Sequence, residues 1–257
     1  MAASETLALL IDGDNATPKI VNGLLAEIAN YGTASVKRVY GDWTQPQLNG
    51  WKNCLLEHSI QPVQQFAYTV GKNATDGAMI IDAMDLLYTG RFSGFCIVSS
   101  DSDFARLAAR IREQGVTVYG FGERKTPRPF ITACDKFIYF DVLIATAKGA
   151  DAAVPPTAMS PAPKAPVKSR LDETALEMLA KAVAASAGED GRANLSAVGS
   201  HLAKQSPDFD ARNYGFARLS DLVKASGILD VEHIGNPKTF RVRLKPQSAK
   251  QTGNKAD

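Results

Sequence analysis

Acidic residues follow two apolar segments of this chain, directly after each segment ends. Asp12 and Asp14 come after the first such segment, and Asp101 and Asp103 come after a later one. Asp76 opens a helical pattern between them. In a parallel sheet, ligands bind beyond the carboxyl ends of the strands, where the strand order reverses. If the two segments are neighbouring strands, these side chains face one crevice and Asp76 joins them from the side.

Clustered carboxylates repel one another, and a divalent cation offsets that repulsion. Mg²⁺ takes oxygen ligands, usually one or two carboxylates together with waters and substrate phosphates. Two such ions about 3.5–4 Å apart activate water and stabilise the leaving oxygen of a phosphodiester. Because these motifs supply carboxylates and no His or Cys, the pattern favours Mg²⁺ or Mn²⁺ over Zn²⁺.

A structural role for individual acids remains an alternative. Asp after a strand often forms a turn or caps a helix, so Asp14 and Asp103 are also candidates for those roles. Asp82 is six residues from Asp76, which is about 600° round a helix. We therefore expect Asp82 on a different face, solvated or supporting the site indirectly, and Asp85 in solvent.

The first 150 residues alternate short apolar segments with helical patterns, which predicts an α/β fold. The run 7–11 is continuously apolar, as is typical of a strand buried on both faces. Pro18 after Thr17 predicts a helix start, and Thr75 is predicted to cap a later helix. Such alternation predicts a parallel sheet with helices on both faces. The predicted strands lie at 7–11, 36–40, 62–67, 94–99, 116–121 and 137–140, and the predicted helices at 17–30, from 46, from 75 and at 104–115.

A Pro- and Ala-rich segment separates this body from a second, smaller one. Residues 151–170 hold five of the 13 prolines, which is typical of an extended linker. The following patterns predict three helices and a β-hairpin, the winged-helix layout. The helices are predicted at 172–187, 196–204 and 215–226, and the strands at 228–233 and 239–244. The predicted divisions are a domain at 1–147, a linker at 148–169, a domain at 170–245 and a disordered tail at 246–257.

Three stretches of the first body resemble the NYN family of PIN-like domains. They are residues 9–15 (LLIDGDN), 72–83 (KNATDGAMIIDA) and 98–107 (VSSDSDFARL), and the match continues through 115–122 and 133–138. The resemblance implies a PIN-like three-layer fold and a ribonuclease that depends on Mg²⁺ or Mn²⁺. By matching motif positions, it places four acids around the metal as catalytic residues and an amide in support. These residues are Asp12, Asp76, Asp101 and Asp103, with Asn15 supporting. Ser100 departs from the pattern, because many relatives have Gly there.

The second body resembles the LOTUS domain, also called OST-HTH. The resemblance spans about 170–245 and is carried by residues 191–202 (GRANLSAVGSHL) and 206–223 (SPDFDARNYGFARLSDLV). It implies RNA binding or docking of a partner protein. Basic and aromatic side chains near the third helix and the hairpin suit phosphate contact and stacking on unpaired bases. They are Arg212, Tyr214, Arg218, Lys224, Lys238, Arg241 and Arg243. Alternatively, Tyr214 is a core residue and Arg212 pairs with Asp208 or Asp210.

Basic residues near the acidic motifs are candidates for contact with an RNA backbone. Lys72 precedes the helical pattern that contains Asp76, and Arg124, Lys125 and Arg128 form a cluster. Lys and Arg contacts to phosphate supply most non-specific affinity for nucleic acid. The alternative for this cluster is a solvated loop.

Composition limits the remaining classes of protein. The chain has 29 Lys+Arg and 27 Asp+Glu, a net charge of +2, so charge alone does not indicate nucleic acid. No apolar run approaches the roughly 18–20 residues that span a bilayer. The three cysteines are too widely spaced to suggest a disulfide framework or a zinc site. The first residues lack the basic region of a signal peptide, so we expect a cytoplasmic protein without a membrane partner.

Together, these features predict a metal-dependent ribonuclease that hydrolyses RNA phosphodiester bonds and carries a C-terminal RNA-binding module. Hydrolysis by water that a metal activates needs no protein nucleophile, which fits the lack of a Ser–His or Cys–His set. One alternative is a phosphatase of the haloacid-dehalogenase type with Asp12 as nucleophile, although Asn15 fits that motif poorly. Another is a non-catalytic RNA-binding regulator or partner-docking protein. The sequence does not indicate an oligomeric state.

Overall fold

The computed structural model describes residues 5–66, 74–150, 171–233 and 240–245. The chain forms two compact units, residues 1–161 with 206–209 and residues 162–205 with 210–257. None of the helices in the described ranges combines the length and the apolar character that crossing a bilayer requires.

Six parallel strands form one sheet in the described part of the first unit. They are β1 (Thr6–Asp12), β2 (Thr33–Gly41), β3 (Gln61–Gln64), β4 (Gly94–Val98), β5 (Thr117–Gly122) and β6 (Lys136–Tyr139). Their order across the sheet is β3-β2-β1-β4-β5-β6, and every neighbouring pair is parallel. The direction in which the chain adds strands reverses between β1 and β4. The carboxyl ends of these two strands therefore border the crevice where ligands of such sheets bind.

The two central strands are the most apolar ones. Every side chain from Leu7 to Ile11 in β1 is buried, and so is all of β4. Continuous apolar runs of this kind suit strands that helices cover on both faces. The register pairs Ile11 with Val98. The residues that follow, Asp12 and Ser99, consequently leave the sheet at the same level.

Helices cover both faces of the sheet and complete the PIN-like three-layer fold. They are α1 (Val21–Ile28), α2 (Lys52–Glu57), α3 (Ala74–Tyr88), α4 (Phe104–Glu113), α5 (Arg128–Ala133) and α6 (Phe140–Ala150). Short 3-10 helices at Pro18–Ile20 and Pro46–Trp51 precede α1 and α2. Right-handed crossovers place α1 and α2 on one face and α3, α4 and α5 on the other, because the direction across the sheet reverses after β3.

Several predicted boundaries in the first unit change. Thr75 lies inside α3 instead of capping it, and Phe140 begins α6 instead of ending the last strand. The strand predicted at 62–67 is β3, which ends at Gln64; residue 67 lies outside the described ranges. Thr17 does cap its helix, since its Oγ1 accepts a hydrogen bond from the Lys19 amide at 3.5 Å.

The second unit has the winged-helix layout. Its described elements are α7 (Glu173–Ser186), β7 (Ala193–Asn194), α8 (Leu195–Gln205), α9 (Leu219–Ser226), β8 (Leu229–His233) and β9 (Phe240–Leu244). The strands form an antiparallel sheet in the order β7-β9-β8. Asp172 caps α7 by accepting a hydrogen bond from the Ala175 amide at 2.7 Å. Leu179, Val198 and Val242 are buried in the core of this unit.

The third helix of this unit is shorter than the sequence predicts. A 3-10 helix at Ala211–Tyr214 comes first, and α9 begins only at Leu219. Gly215 separates the two because it has a φ of +82°, the left-handed conformation that ends helices. The predicted helix 215–226 would have placed Phe216 on its apolar face. In the structure, Phe216 precedes α9 and is not part of that face.

Candidate active site

Asp12 is a buried carboxylate at the carboxyl end of β1, and four donors hold it in place. Its Oδ1 accepts from the amides of Asp14 at 3.2 Å and Asn15 at 3.3 Å. Its Oδ2 accepts from Asn15 Nδ2 and from Ser99 Oγ, both at 2.7 Å. Burial raises the pKa of Asp12, and the hydrogen bonds from Ser99 and Asn15 act against that rise. These contacts support the predicted role of Asn15 beside the acid.

Gly13 lets this loop lie directly against the neighbouring strand. Its amide donates to the Tyr40 carbonyl at 2.8 Å. A Cβ at this position would lie 2.7 Å from the same carbonyl oxygen. Glycine between the two acids of the motif thus has a steric reason, because any side chain would push the loop away from β2.

Ser99 joins the acids of the two strand ends. It is fully buried, and its Oγ donates to Asp12 while accepting from the Asp101 amide at 3.1 Å. Asp101 Oδ1 in turn accepts from the Asp103 amide at 2.9 Å. The sequence interpretation did not assign Ser99 to the site. Its place at the end of the predicted strand 94–99, two residues before Asp101, was the available signal.

Asp103 occupies the residue before α4, but its side chain makes no capping hydrogen bond to that helix. The interpretation of Asp103 as a simple helix cap is therefore wrong. Asp14 is exposed and accepts a hydrogen bond from Thr75 Oγ1 at 3.1 Å. This bond ties the loop after β1 to the first turn of α3, which carries Asp76.

Asp76 experiences the charge of the whole acidic cluster. Its side chain is buried, with 8% of its surface exposed. Burial, followed by the negative charges of Asp12, Asp101, Asp103 and Asp14, raises the pKa of Asp76 to about 6. The fold therefore brings the acids of two strand ends and one helix within electrostatic range of one another, as the sequence predicted.

Asp82 makes different contacts from those expected. Instead of being solvated or supporting the site, it accepts hydrogen bonds from Arg38 and from the Tyr40 hydroxyl. This ion pair joins α3 to β2 on a face that Asp76 does not share. Burial, with the hydrogen bond to Asp82 next, raises the pKa of Tyr40. Asp85 is exposed, as predicted.

The donor set of the cluster fits a hard cation. Its oxygen atoms belong to carboxylates, and an amide and a hydroxyl orient the buried one; carboxylate oxygens are the atoms that Mg²⁺ and Mn²⁺ prefer. Within the described ranges, however, no three acidic, His or Cys side chains stand close enough together to hold a metal ion in their present positions. The assignment of particular ligands remains a prediction.

The basic residues of the cluster near this site form ion pairs with neighbouring acids. Arg124 makes a bidentate ion pair with Asp141, with its closest contact at 2.8 Å, and stacks over the Tyr139 ring at 4.1 Å. Lys125 pairs with Glu123 at 2.9 Å. Arg128 is exposed. The pairs favour a structural role for Arg124 and Lys125. Lys72 lies outside the described residues.

Ion pairs also engage basic residues of the second unit. Arg212 binds Asp210 through two nitrogens, at 3.0 and 2.7 Å, and Tyr214 is half-buried. Arg241 on β9 pairs with Asp190 at 3.3 Å. The remaining residues predicted to contact RNA differ in their surroundings. Arg218 is exposed, Lys224 lies over the Phe240 ring, Arg243 pairs with Asp230, and Lys238 is outside the described ranges.

An all-parallel sheet with acids beyond its central strands defines a domain of the PIN-like class. The sequence matches the NYN domain over residues 6–143, more than half of the chain, and the protein belongs to the NYN domain family. Residues 167–240 match the OST-HTH/LOTUS domain. Together, the NYN and OST-HTH/LOTUS domains indicate an RNase-like, RNA-binding protein. No curated protein matches the sequence.

Two solved structures resemble parts of the chain. A protein of unknown function from Vibrio parahaemolyticus is 18% identical with a TM-score of 0.47, and the match covers 54% of this chain and 94% of that one. An uncharacterized protein from Nitrosomonas europaea is 32% identical with a TM-score of 0.29, covering 37% of this chain and 94% of that one.

Replacing Ser99 by Ala tests whether this hydroxyl positions the acids. If the predicted metal-dependent cleavage of RNA uses Asp12 as a ligand, the variant should lose about 10–100-fold in kcat, the typical cost of removing a group that orients a metal ligand. Because the hydrogen bond from Ser99 lowers the pKa of Asp12, its removal should also move the acidic limb of the pH–activity profile to higher pH. Ser102→Ala, in the same loop but exposed, is the matched control. Wild-type kinetics for Ser99→Ala would contradict this role.

Proposed function

We propose that the protein is a metal-dependent ribonuclease that hydrolyses phosphodiester bonds of RNA, with its OST-HTH domain as an RNA-binding module. The observation that carries this proposal is the acidic cluster at the reversal point of the sheet. Burial and four neighbouring carboxylates raise the pKa of Asp76 to about 6, and such an accumulation of negative charge is costly unless a cation offsets it.

In this proposal, Asp12, Asp76, Asp101 and Asp103 hold Mg²⁺ or Mn²⁺. The cation, when bound, activates water and offsets the charge that develops on the phosphodiester. Ser99 and Asn15 keep the Asp12 carboxylate in one orientation through their hydrogen bonds at 2.7 Å. Burial of Asp12 beneath the loop keeps its charge away from bulk water, which strengthens its interaction with a cation.

The surroundings of Asp12 argue against the phosphatase alternative. A nucleophilic carboxylate must present one oxygen to the substrate in line with the bond that breaks. Asp12 has no exposed surface, and each of its oxygens already accepts two hydrogen bonds. These contacts leave neither oxygen aimed at a substrate for in-line attack.

The role of the second domain as an RNA-binding module is supported by its match to OST-HTH/LOTUS. Arg218 is exposed at the start of α9, the reading helix in a helix-turn-helix layout. Ion pairs partly compensate Arg212, Arg241 and Arg243. RNA phosphates would have to compete with those carboxylates, so contacts from Arg218 carry the greatest weight in this proposal.

Cleavage of end-labelled single-stranded RNA with Mn²⁺, with Mg²⁺ and with EDTA tests the activity. We expect cutting with either metal, no cutting with EDTA, and recovery when metal is restored in excess. The variant Asp85→Asn, an exposed acid on the same helix as Asp76, should cleave like the wild type. RNA binding without any metal-dependent cutting would instead favour a non-catalytic RNA-binding regulator.

A further inference from the structure

A groove extends from the acidic cluster along the outer side of α4. It has a volume of about 670 Å³ and lies between α3, α4 and α5. Asp103 is part of its lining, so the groove is continuous with the proposed active site. The rise along α4 from Asp103 to Arg110 is about 10 Å, enough for a short stretch of an extended chain.

One cation in this groove has its charge available. Arg106 is exposed and lines the groove, and within the described ranges its side chain has neither an ion pair nor a hydrogen bond. Arg110, one turn further along α4, is bonded to Glu113 and to the Tyr88 hydroxyl, both at 3.1 Å. The groove contains two acids. Arg110 offsets the charge of Glu113, and in the proposed function the metal offsets the charge of Asp103. Arg106 lies between them as a contact for a phosphate.

Part of the groove lining is apolar. Ile80 and Met84 of α3, Ala109 of α4 and Pro129 of α5 contribute to it. The faces of unpaired bases can pack on such side chains, because this contact removes apolar surface from water. A duplex cannot, because an A-form helix presents phosphates and 2′-hydroxyls outward and keeps its bases stacked inside.

We propose that this groove holds unpaired nucleotides on one side of the scissile phosphate, with Arg106 binding their backbone. The proposal deepens the proposed function and depends on it for the position of the scissile bond. It makes the enzyme specific for RNA that is single-stranded on that side of the cleavage point. Arg106 is a positioning residue in this scheme, because it holds the substrate away from the reacting atoms.

Two variants test the groove by kinetics. Arg106→Gln removes the cation, and Ala109→Glu places a negative charge on an exposed helical position of the groove. Each should raise KM for single-stranded RNA about three- to tenfold, with kcat within about twofold of wild type, because one loses a contact to the RNA backbone, the other repels that backbone, and neither touches the acids of the proposed site. Arg106→Gln should also reduce the slope of log KM against log salt by about 0.7.

Matched controls carry the same chemical changes elsewhere on the first unit. Arg91→Gln removes an exposed arginine just before β4, at the end of the sheet opposite the acids. Ala26→Glu adds a charge to an exposed position of α1, on the other face of the sheet. Both should leave KM and kcat unchanged. In a further test on the wild type, a duplex is formed first on one side of the cleavage point and then on the other. Cleavage should slow only when the duplex lies on the side that the groove binds.

Crosslinking separates failure of the groove from failure of the nuclease. The Asp101→Asn full-length protein is mixed with 4-thiouridine RNA in EDTA, irradiated, and its crosslinked peptides are mapped. Crosslinks to residues 80–84, 105–110 or 129–133 would support the groove even if the wild type cleaves nothing. Crosslinks elsewhere, or unchanged KM in both groove variants, would overturn it. A wild type that is dimeric in solution, with an Ala109→Glu variant that is monomeric and has an unchanged KM, would likewise overturn it and assign the groove to a second copy of the chain.

Discussion

Asp101→Asn is expected to lower kcat for RNA cleavage by at least about 10³-fold while leaving the fold intact. A catalytic cation contributes several kcal/mol to the transition state, and each factor of ten in rate corresponds to about 1.4 kcal/mol. The substitution removes one ligand charge. It keeps the acceptor, because the Oδ1 of an asparagine can still receive the hydrogen bond that Asp101 now accepts from the Asp103 amide at 2.9 Å.

Asp12→Asn is expected to perturb the same site more strongly than Asp101→Asn. Four hydrogen-bond donors point at the two oxygens of Asp12. In asparagine, one of these oxygens becomes an NH2 group, which cannot accept their hydrogen bonds. We therefore expect Asp12→Asn to lose activity together with some stability, whereas Asp101→Asn loses activity alone. Single-turnover cleavage and thermal unfolding measured on both variants distinguish the two outcomes. Full cleavage by Asp101→Asn would show that the cutting comes from a contaminant or from other residues.

Asp76→Asn is expected to raise the Tm of the metal-free protein by roughly 5 °C at pH 8 and by little at pH 4. The pKa of Asp76 moves from 3.8 to about 6 in the folded protein. This shift corresponds to at most about 3 kcal/mol of folding free energy. A change of 1 kcal/mol moves Tm by about 2–4 °C in a domain of this size class.

The direction of this effect follows from where the proton is held. The folded chain keeps the Asp76 proton up to about pH 6, whereas the unfolded chain loses it near 3.8. The resulting stabilisation is complete below 3.8 and is lost as the pH rises through 6. Asparagine has no charge to desolvate, so the variant avoids that loss.

Thermal unfolding in EDTA between pH 4 and pH 8, followed by circular dichroism, measures this difference. Asp85→Asn on the exposed side of the same helix should match the wild type throughout. Saturating Mn²⁺ should then raise the Tm of the wild type more than that of Asp76→Asn, because the variant lacks a ligand. A variant less stable than the wild type at pH 8 in EDTA would show that Asp76 is a structural partner and not a strained acid.

The sequence by itself determined the order of the elements and the meeting of the acids. Continuous apolar runs predicted central strands because only strands covered on both faces tolerate them. Motifs directly after two such strands then had to converge, since parallel strands end at one edge. Matches to the NYN and OST-HTH/LOTUS domains confirm the two predicted families in the predicted order. The domain boundaries and the individual ligands remain predictions.

Only the tertiary structure decided which side chains hold those acids and which basic residues are engaged. Ser99 reaches Asp12 across 87 positions of sequence, and Asp82 reaches Arg38 across 44. Arg124 is bound by Asp141, on a helix that follows another strand. Each contact depends on the distance between two elements after packing. Local periodicity describes the face on which a residue lies, whereas the identity of its partner is set by how the sheet and its helices assemble.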